Sequence, residues 1–192
     1  MARKVEFDEE QAIQRALEVF WKKGYKGASL RDLTDAMKIN PSSLYNTFGD
    51  KHKLFVRCVQ NYTKGRERDY QKRAASSKSP LSILVKFVND AVTEITSGTS
   101  SCMAIKAAFE VASEDKRVQD ILKADSDAGY RFFCSLLTRA MAQGQISDEE
   151  EPELLTDYFI SAYIGWHESF ILHQDAAKIK KMAQYFVKQI SR

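Results

Sequence analysis

Residues 24–55, GYKGASLRDLTDAMKINPSSLYNTFGDKHKLF, decide the fold of this chain. Ser29 is placed to cap a short helix, and Asp32 follows three residues later, as in a capping box. Asn40 is placed to cap a second short helix, which has Pro41 at its first position, where a missing N–H is tolerated. The stretch therefore predicts two helices of about two turns each, separated by a tight turn.

Longer helices flank this stretch on both sides. Apolar residues recur at spacings of three and four from Asp8 to about Lys23, which is the period of an amphipathic helix, and Gly24 is placed to end it. A long helix is predicted over residues 51–73. The first three helices fall within about 45 residues and are joined by short turns, which predicts a helix-turn-helix of the three-helix type.

The rest of the chain also has the period of helices, without the alternation that is typical of strands. Residues 76–80 form the clearest linker. Further helices are predicted at roughly 80–96, 102–113, 116–143, 152–172 and 175–191. The predicted fold is all-α with about nine helices. It comprises a helix-turn-helix DNA-binding domain over residues 1–50 and a larger helical domain over residues 51–192, with the helix 51–73 linking the two.

The positive charge of the chain is concentrated at its N-terminal end. The formal net charge is +3, but residues 1–73 contain 16 Lys and Arg against 10 Asp and Glu, whereas residues 74–192 contain 13 against 16. This asymmetry indicates that the N-terminal part contacts a polyanion. A chance excess of solvated lysines would give the same count and stays open at this point.

Composition indicates a soluble protein of the cytoplasm. Hydrophobic residues make up 44% of the chain and charged residues 29%, which is ordinary for a globular protein. The three cysteines are widely spaced, as expected of reduced thiols. The N-terminus lacks the pattern of a signal peptide, and no apolar run approaches the roughly 20 residues of a membrane span. We therefore expect a cytoplasmic location and no membrane partner.

The first turn of the second short helix suits contact with DNA bases. Ser42 and Ser43 are small and polar, so they would let the helix approach base edges in the major groove. The free N–H groups of this turn attract a phosphate group. Tyr45 can direct its hydroxyl at a second phosphate. A basic cluster one helix length further along can hold the adjacent DNA backbone: Lys51, His52 and Lys53.

Residues 24–55 together resemble the DNA-binding signature of the TetR family of transcriptional repressors. The matching features, in order and spacing, are Phe20, Gly24–Tyr25, Ser29 through Leu33, Ala36, Ile39, Ser42 through Tyr45, Phe48, Lys51 and Leu54–Phe55. The family usually has glycine in the turn where this chain has Lys38. Either the lysine adopts the left-handed conformation or the turn differs.

The resemblance implies a set of contacts with double-stranded DNA. The candidate base contacts are Arg31, Ser42, Ser43 and Asn46, and the candidate phosphate contacts are Ser29, Tyr45, Thr47 and Lys51. Arg3 and Lys4 could form an arm that adds backbone or minor-groove contacts, or they could be only a solvated tail. Ser29 could instead be only a helix cap, and Tyr45 could belong mostly to the core.

The resemblance also implies a homodimer, because the last two helices of such proteins pair with those of a second subunit. On the helix predicted at 152–172, small residues at a spacing of four stand beside apolar ones and permit close helix contact. The candidate interface residues are Tyr158, Ser161, Ala162, Gly165 and Ser169. A buried core helix in a monomer would also explain this pattern.

A cavity for a small-molecule effector is the third implication of the resemblance. The candidate lining residues are Phe87, Cys102, Phe109, Tyr130, Phe133, Tyr163, Trp166 and His167. Their character fits a mostly apolar molecule with one or two polar groups, but each residue could instead belong to the packing of the core. Cys102 also falls at a predicted helix N-terminus, so a sensor of oxidants or electrophiles is a further hypothesis. The alternative is that Cys102 is a small apolar residue packed in the core.

No pattern in the sequence favours an enzyme, a cofactor or a metal. His167 and Glu168 begin like the zinc motif HExxH, but His173 comes six residues after the first histidine rather than four. The predicted function is that of a ligand-responsive repressor that binds a palindromic operator as a dimer. Two alternatives stay open: a DNA-binding regulator without a small-molecule effector, acting as an activator or under control of a partner, and a helical interaction module that has lost DNA binding.

Overall fold

The computed structural model describes residues 7–97 and 102–191. No strand occurs within these ranges, and the predicted all-α class is confirmed. Each predicted helix has its counterpart, and the one predicted at 102–113 is divided between α6 and a π-helical turn, Ala108–Ala112. The α-helices of the described ranges are α1 (Glu9–Gly27), α2 (Leu30–Met37), α3 (Pro41–Phe48), α4 (Lys51–Ala74), α5 (Pro80–Thr96), α6 (Met103–Ala107), α7 (Lys116–Ala142), α8 (Pro152–His173) and α9 (Ala176–Ile190).

The helices pack into two compact units. The N-terminal unit contains the described residues up to Gly65 and the segment Met103–Lys123. The C-terminal unit contains the described residues of Arg66–Cys102 and of Ala124–Arg192. Helices α4 and α7 therefore contribute to both units. The domain boundary at residue 50 stays a prediction, since packing groups the first part of α4 with the helix-turn-helix.

Apolar side chains on one side of each helix form the core of the N-terminal unit. Leu17 and Phe20 of α1 are buried, and the ring of Phe20 meets that of Phe55 on α4 edge-on, with centroids 5.0 Å apart. Leu33 of α2 and Leu44 of α3 are fully buried. Because α2 and α3 are short and bury one side each, their other sides remain in solvent.

Helix α1 is interrupted at Gly24, where the sequence predicts its end. Gly24 has φ 75° and ψ 173°, a conformation that is essentially restricted to glycine. One further turn follows as far as Gly27 before the chain enters α2. The break sets the direction in which the chain leaves α1.

Helix α3 begins and ends as predicted. The Asn40 side-chain oxygen accepts a hydrogen bond from the backbone N–H of Ser43 at 2.7 Å, and Pro41 occupies the first helical position. Gly49 closes the helix with φ 89°. Local signals alone therefore define the bounds of this helix.

Aromatic rings form the centre of the C-terminal unit. Phe133 of α7 packs against Phe87 of α5 and against Phe159 of α8, with ring centroids 4.8 Å apart in both pairs. Phe186 of α9 stacks on Phe159 at 4.9 Å. These contacts join α5, α7, α8 and α9 around one core.

Candidate nucleic-acid interface and effector site

A reciprocal cap fixes the start of α2. The Ser29 hydroxyl oxygen accepts a hydrogen bond from the backbone N–H of Asp32 (3.0 Å), and the Asp32 carboxylate accepts one from the backbone N–H of Ser29 (2.9 Å). The ammonium group of Lys23 lies 2.6 Å from the same carboxylate. Its hydrogen bond, with those from Ser29, holds the pKa of Asp32 well below its usual value. Ser29 thus caps α2 as predicted. Its contact with phosphate stays a prediction.

The turn between α2 and α3 is closed by Lys38 in a left-handed conformation, with φ 57° and ψ 43°. Its backbone N–H donates to the carbonyl of Asp35 (3.3 Å), and that of Ile39 donates to the carbonyl of Thr34 (3.1 Å). This is the Schellman arrangement, which most often uses glycine at this position. The lysine therefore takes the conformation that glycine usually supplies, and the turn keeps its form.

Helix α3 presents one polar face to solvent. Ser42, Tyr45 and Asn46 are exposed, and their spacing of three and four places them on one side of the helix. Tyr45 is 48% exposed, so it does not belong to the core. Ser43 and Thr47 are half-buried. The predicted contacts of this helix thus include three freely accessible side chains and two partly covered ones.

Arg31 adds a cationic group on the neighbouring helix α2. Its side chain is 91% exposed, and its Nε lies 3.7 Å from the carboxylate of Asp35, one turn further along. Exposed ion pairs of this kind contribute at most about 1 kcal/mol. The guanidinium group can therefore exchange this partner for a base or a phosphate at little cost.

The basic residues at the start of α4 differ in their contacts. The ammonium group of Lys51 lies over the ring of Tyr25, 4.7 Å from its centroid. His52 contacts the carboxylate of Asp115 within the N-terminal unit. Partial burial opposes ionisation of Asp115, but hydrogen bonds from His52 and from the backbone outweigh it and lower its pKa. Lys51 remains a candidate for phosphate, whereas the imidazole of His52 has a protein partner.

Two charged residues outside the predicted DNA-binding domain hold the end of α1. The Glu110 carboxylate, in the π-helical turn, accepts hydrogen bonds from the backbone N–H groups of Tyr25 (3.0 Å) and Lys26 (2.8 Å). Lys106 donates to the carbonyl of Trp21 (2.9 Å). Neither contact is predicted from the sequence. The spacing of four between Lys106 and Glu110 marks one helix face, but it does not identify a partner 85 positions away along the chain.

Most of the predicted effector-pocket residues lie in the C-terminal unit, where several of them meet. The ring of Tyr163 lies 6.1 Å from that of Phe87 and 4.8 Å from that of His167. The residues that pack in or against the aromatic core are Phe87, Phe133, Tyr163 and Trp166. The structure thus brings these four predicted residues, from α5, α7 and α8, together in one core.

A buried polar cluster centres on Arg66 in the same unit. Arg66 donates hydrogen bonds to the Tyr70 hydroxyl (2.6 Å) and to the Cys102 sulfur (3.4 Å), and it lies 3.3 Å from the carboxylate of Asp125. Cys102 is 1% exposed. Burial raises the pKa of Asp125 against the opposing effect of Arg66. Cys102 therefore sits beside a positive charge in an otherwise enclosed environment.

His167 carries an unsatisfied polar atom into the core. It is 2% exposed, and its Nε2 has no hydrogen-bond partner within the part of the chain that the structure describes. Burial, and then the charge of Arg66, lower the pKa of His167 to about 4, so the ring is neutral at pH 7. Buried polar atoms are nearly always paired, which makes this nitrogen a candidate contact for a bound molecule.

Two predicted pocket residues depart from the prediction. Phe109 belongs to the N-terminal unit and is 81% exposed, because Glu110 beside it in the π-helical turn is the residue directed toward α1. Tyr130 is half-exposed beside a shallow surface depression that Cys134 and Thr138 also line. Neither side chain belongs to the enclosed aromatic core.

Two family models match the chain. One, described as bacterial regulatory proteins of the tetR family, matches residues 12–58, and the other, described as the tetracyclin repressor-like C-terminal domain, matches residues 81–186. The chain belongs to the TetR family. The resemblance in residues 24–55 is thereby confirmed, and the protein is a transcriptional regulator rather than an enzyme.

Individual relatives agree with this assignment. The chain is 30% identical to an HTH-type transcriptional regulator of Bacillus subtilis, YezE, over 78% of each protein. Among solved structures, a cysteine mutant of the TetR family regulator CifR complexed with 26-base-pair operator DNA is 28% identical. It matches with a TM-score of 0.82 over 97% of this chain and 98% of that one. A TetR family regulator from Agrobacterium tumefaciens has the same fold, with a TM-score of 0.87 at 20% identity over 95% of this chain and 97% of that one.

This TetR-family chain exposes apolar side chains along α8 and α9. The large ones are Leu154, Tyr158, Ile164, Ile171 and Leu172 on α8, and Met182 and Tyr185 on α9. Ser161 is exposed, Ala162 is half-buried, and a Cβ atom added at Gly165 would meet nothing within 4 Å. Ser169 departs from the prediction, since it is buried within its own unit, and it is only 8% exposed. Four of the five predicted interface residues thus reach the surface.

The described residues contain neither a candidate metal site nor a membrane-spanning helix. No group of three or more His, Cys, Asp or Glu side chains is arranged to hold a metal ion there. None of the helices described is long and apolar enough to cross a membrane. The predicted arm residues Arg3 and Lys4 lie outside the described residues.

Proposed function

We propose that this TetR-family regulator is a repressor that binds a palindromic operator as a homodimer and is released by a small-molecule effector. The observation that carries the proposal is the exposed face of α3, where Ser42, Tyr45 and Asn46 stand clear of the core. Small polar groups on such a face suit entry into the major groove. CifR, 28% identical to this chain, has been solved with operator DNA.

The apolar surface on α8 and α9 supports the dimer. A monomer rarely exposes so many large apolar side chains on two adjacent helices, and pairing with a second copy would cover them. The open space at Gly165 suits close approach of a helix from that copy. Two recognition helices held about 34–36 Å apart would then enter successive major grooves on one face of the DNA.

The polar groups in the aromatic core support the effector site. The Nε2 atom of His167 and the hydrogen-bonding groups around Arg66 lie in the same unit as an extensive set of aromatic rings. A mostly apolar molecule with one or two polar groups would suit these surroundings. An effector with a 100-fold preference for the state that does not bind DNA would supply about 2.7 kcal/mol of coupling.

The decisive experiment selects bound sequences from random duplex DNA and then measures affinity for the selected site across salt concentrations. A palindromic consensus, bound by two chains with a steep loss of affinity at high salt, is the expected result. Affinity that is insensitive to both salt and sequence would contradict DNA binding. Repeating the measurement with candidate ligands tests the effector separately.

Alanine substitutions at Lys51 and at Arg31 are expected to distinguish contacts with the DNA backbone from contacts with bases. Lys51→Ala should weaken binding to all duplexes alike and reduce the salt slope by about 1. Arg31→Ala should change the preferred sequence, with discrimination reduced by about 1–3 kcal/mol at one position. Fluorescence anisotropy with the selected site and its single-base variants measures both. Equal effects of Lys51→Ala and Arg31→Ala on every duplex would contradict these roles.

The contact between Arg66 and Cys102 favours a second form of effector response, in which the thiol reacts with an electrophile or an oxidant. Treatment with N-ethylmaleimide should release the wild-type protein from its operator, and Cys102→Ser should abolish that release. Cys134→Ser is the matched control, because the thiol of Cys134 is more accessible to the reagent than that of Cys102. Release that persists in Cys102→Ser would exclude Cys102 as the sensor.

A further inference from the structure

The backbone at Lys38 is unfavourable for the residue that occupies it. Two residues other than glycine have positive φ in the described ranges: Lys38 at φ 57° and Gln174 at φ 51°. Glycine takes this conformation freely, whereas a Cβ atom makes it strained. The turn needs only the conformation, so the fold by itself does not account for a lysine side chain here.

Among the described residues, no acidic side chain pairs with Lys38, whereas Lys23 and Arg31 nearby each have such a partner. Lys23 pairs with Asp32 at 2.6 Å, and Arg31 lies 3.7 Å from Asp35. Within residues 7–97 and 102–191, no carboxylate oxygen lies within 4.0 Å of the Lys38 ammonium group, and the side chain is exposed. A cation in this state is available to an external anion.

The position of Lys38 places it between the two helices that carry the candidate DNA contacts. It follows α2, which presents Arg31, and it precedes by two residues the Asn40 cap of α3. Ser42, on the exposed face of α3, is four residues away. The N-terminal end of a recognition helix is the end that approaches the DNA, and phosphates flank the groove that it enters.

We propose that Lys38 binds a phosphate of the operator backbone, and that this contact offsets the strain of its left-handed conformation. The inference rests on the proposed DNA-binding function. It adds a contact to the set implied by the family resemblance, because a glycine in this turn carries no side chain. The contact is independent of sequence, so it affects affinity for every duplex alike.

The alternative explanation is that the lysine only stabilises α2, since a positive charge at a helix C-terminus is favourable. The two explanations differ in what the charge affects. If Lys38 serves α2 alone, its removal changes stability and leaves DNA binding unaltered. If it binds phosphate, removal of the charge weakens DNA binding, whatever happens to the turn.

The test uses three variants of the full chain: Lys38→Gly, Lys38→Gln and Lys38→Arg. Anisotropy with the selected operator and with an unrelated duplex is measured at several salt concentrations, beside thermal unfolding. Lys38→Gly should raise the melting temperature by about 2–4 °C through relief of strain. Both Lys38→Gly and Lys38→Gln should bind both duplexes about 3- to 10-fold more weakly, with the salt slope reduced by about 1. Lys38→Arg should bind like the wild type.

Gln174→Gly is the matched control, because it relieves the same kind of strain at the end of α8 in the C-terminal unit. It should leave DNA affinity unchanged. Lys38→Gln with wild-type affinity and salt slope would overturn this inference and leave the proposed function intact. A wild-type protein that binds no duplex would overturn both.

Discussion

Replacing Gly24 by alanine is expected to lower the free energy of unfolding by about 3 kcal/mol. The combination of φ 75° and ψ 173° is strained for any residue with a side chain. A Cβ atom at Gly24 would also lie 2.6 Å from Oε2 of Glu110. The carboxylate would have to leave the backbone N–H groups of Tyr25 and Lys26, which would lose their acceptor. Urea unfolding followed by circular dichroism measures the loss, and hydrogen exchange locates it in the N-terminal unit.

Gly27→Ala is the matched control for this prediction. Gly27 lies three residues further along the same segment, its φ is not positive, and an added Cβ atom would have Lys23 as its nearest neighbour, at 3.9 Å. Alanine there should be neutral or should stabilise the protein by up to about 1 kcal/mol. Equal stability of the two variants would contradict both the backbone break at Gly24 and the contact of Glu110 with it.

The helix-turn-helix was predictable because its signals are local. Ser29 and Asn40 cap helices that begin at the next residue, and Gly49 ends one of them. Each signal acts over three or four residues, so both partners of a capping hydrogen bond stand within one short stretch of sequence. The exposed face of α3 follows from the same spacing, because burial of Leu44 leaves Ser42, Tyr45 and Asn46 on the outside.

Contacts between distant parts of the chain were not predictable in this way. Glu110 meets Tyr25 across 85 positions, and no feature of either residue specifies the other. The π-helical turn has the apolar composition of an ordinary helix, yet it leaves Phe109 in solvent. Lys38 shows a third kind of limit: the sequence left two conformations open for its turn, and the structure has the left-handed one.

The acid stability of the protein is expected to depend on His167. Burial, with the charge of Arg66, lowers its pKa to about 4 in the folded state, whereas an unfolded histidine has a pKa of about 6.5. The unfolded chain therefore takes up the proton more readily. Stability should fall as the pH decreases from about 6.5 to about 4, and it should be unaffected by this group above that window.

The expected loss from His167 is about 2 kcal/mol between pH 7 and pH 5. His167→Phe keeps an aromatic ring in the core and removes both nitrogens, so it should abolish this part of the pH dependence. Urea midpoints at pH 7, 6 and 5 measure the difference between the wild type and the variant. Ionisable groups other than His167 are common to both proteins, so their effects cancel in that difference.

His173→Phe controls for the loss of a histidine as such, because His173 is exposed at the end of α8. It should retain the wild-type pH dependence, whereas His167→Phe should not.

The same variants test the effector site, since the unpartnered Nε2 atom of His167 is the group that a polar effector is proposed to reach. His167→Phe should retain operator binding at pH 7 and lose release by an effector that hydrogen-bonds there. If His167→Phe and the wild type lose stability equally between pH 7 and pH 5, the histidine is accessible to protons in the folded protein. Its nitrogen would then have water as a partner and would not need a ligand.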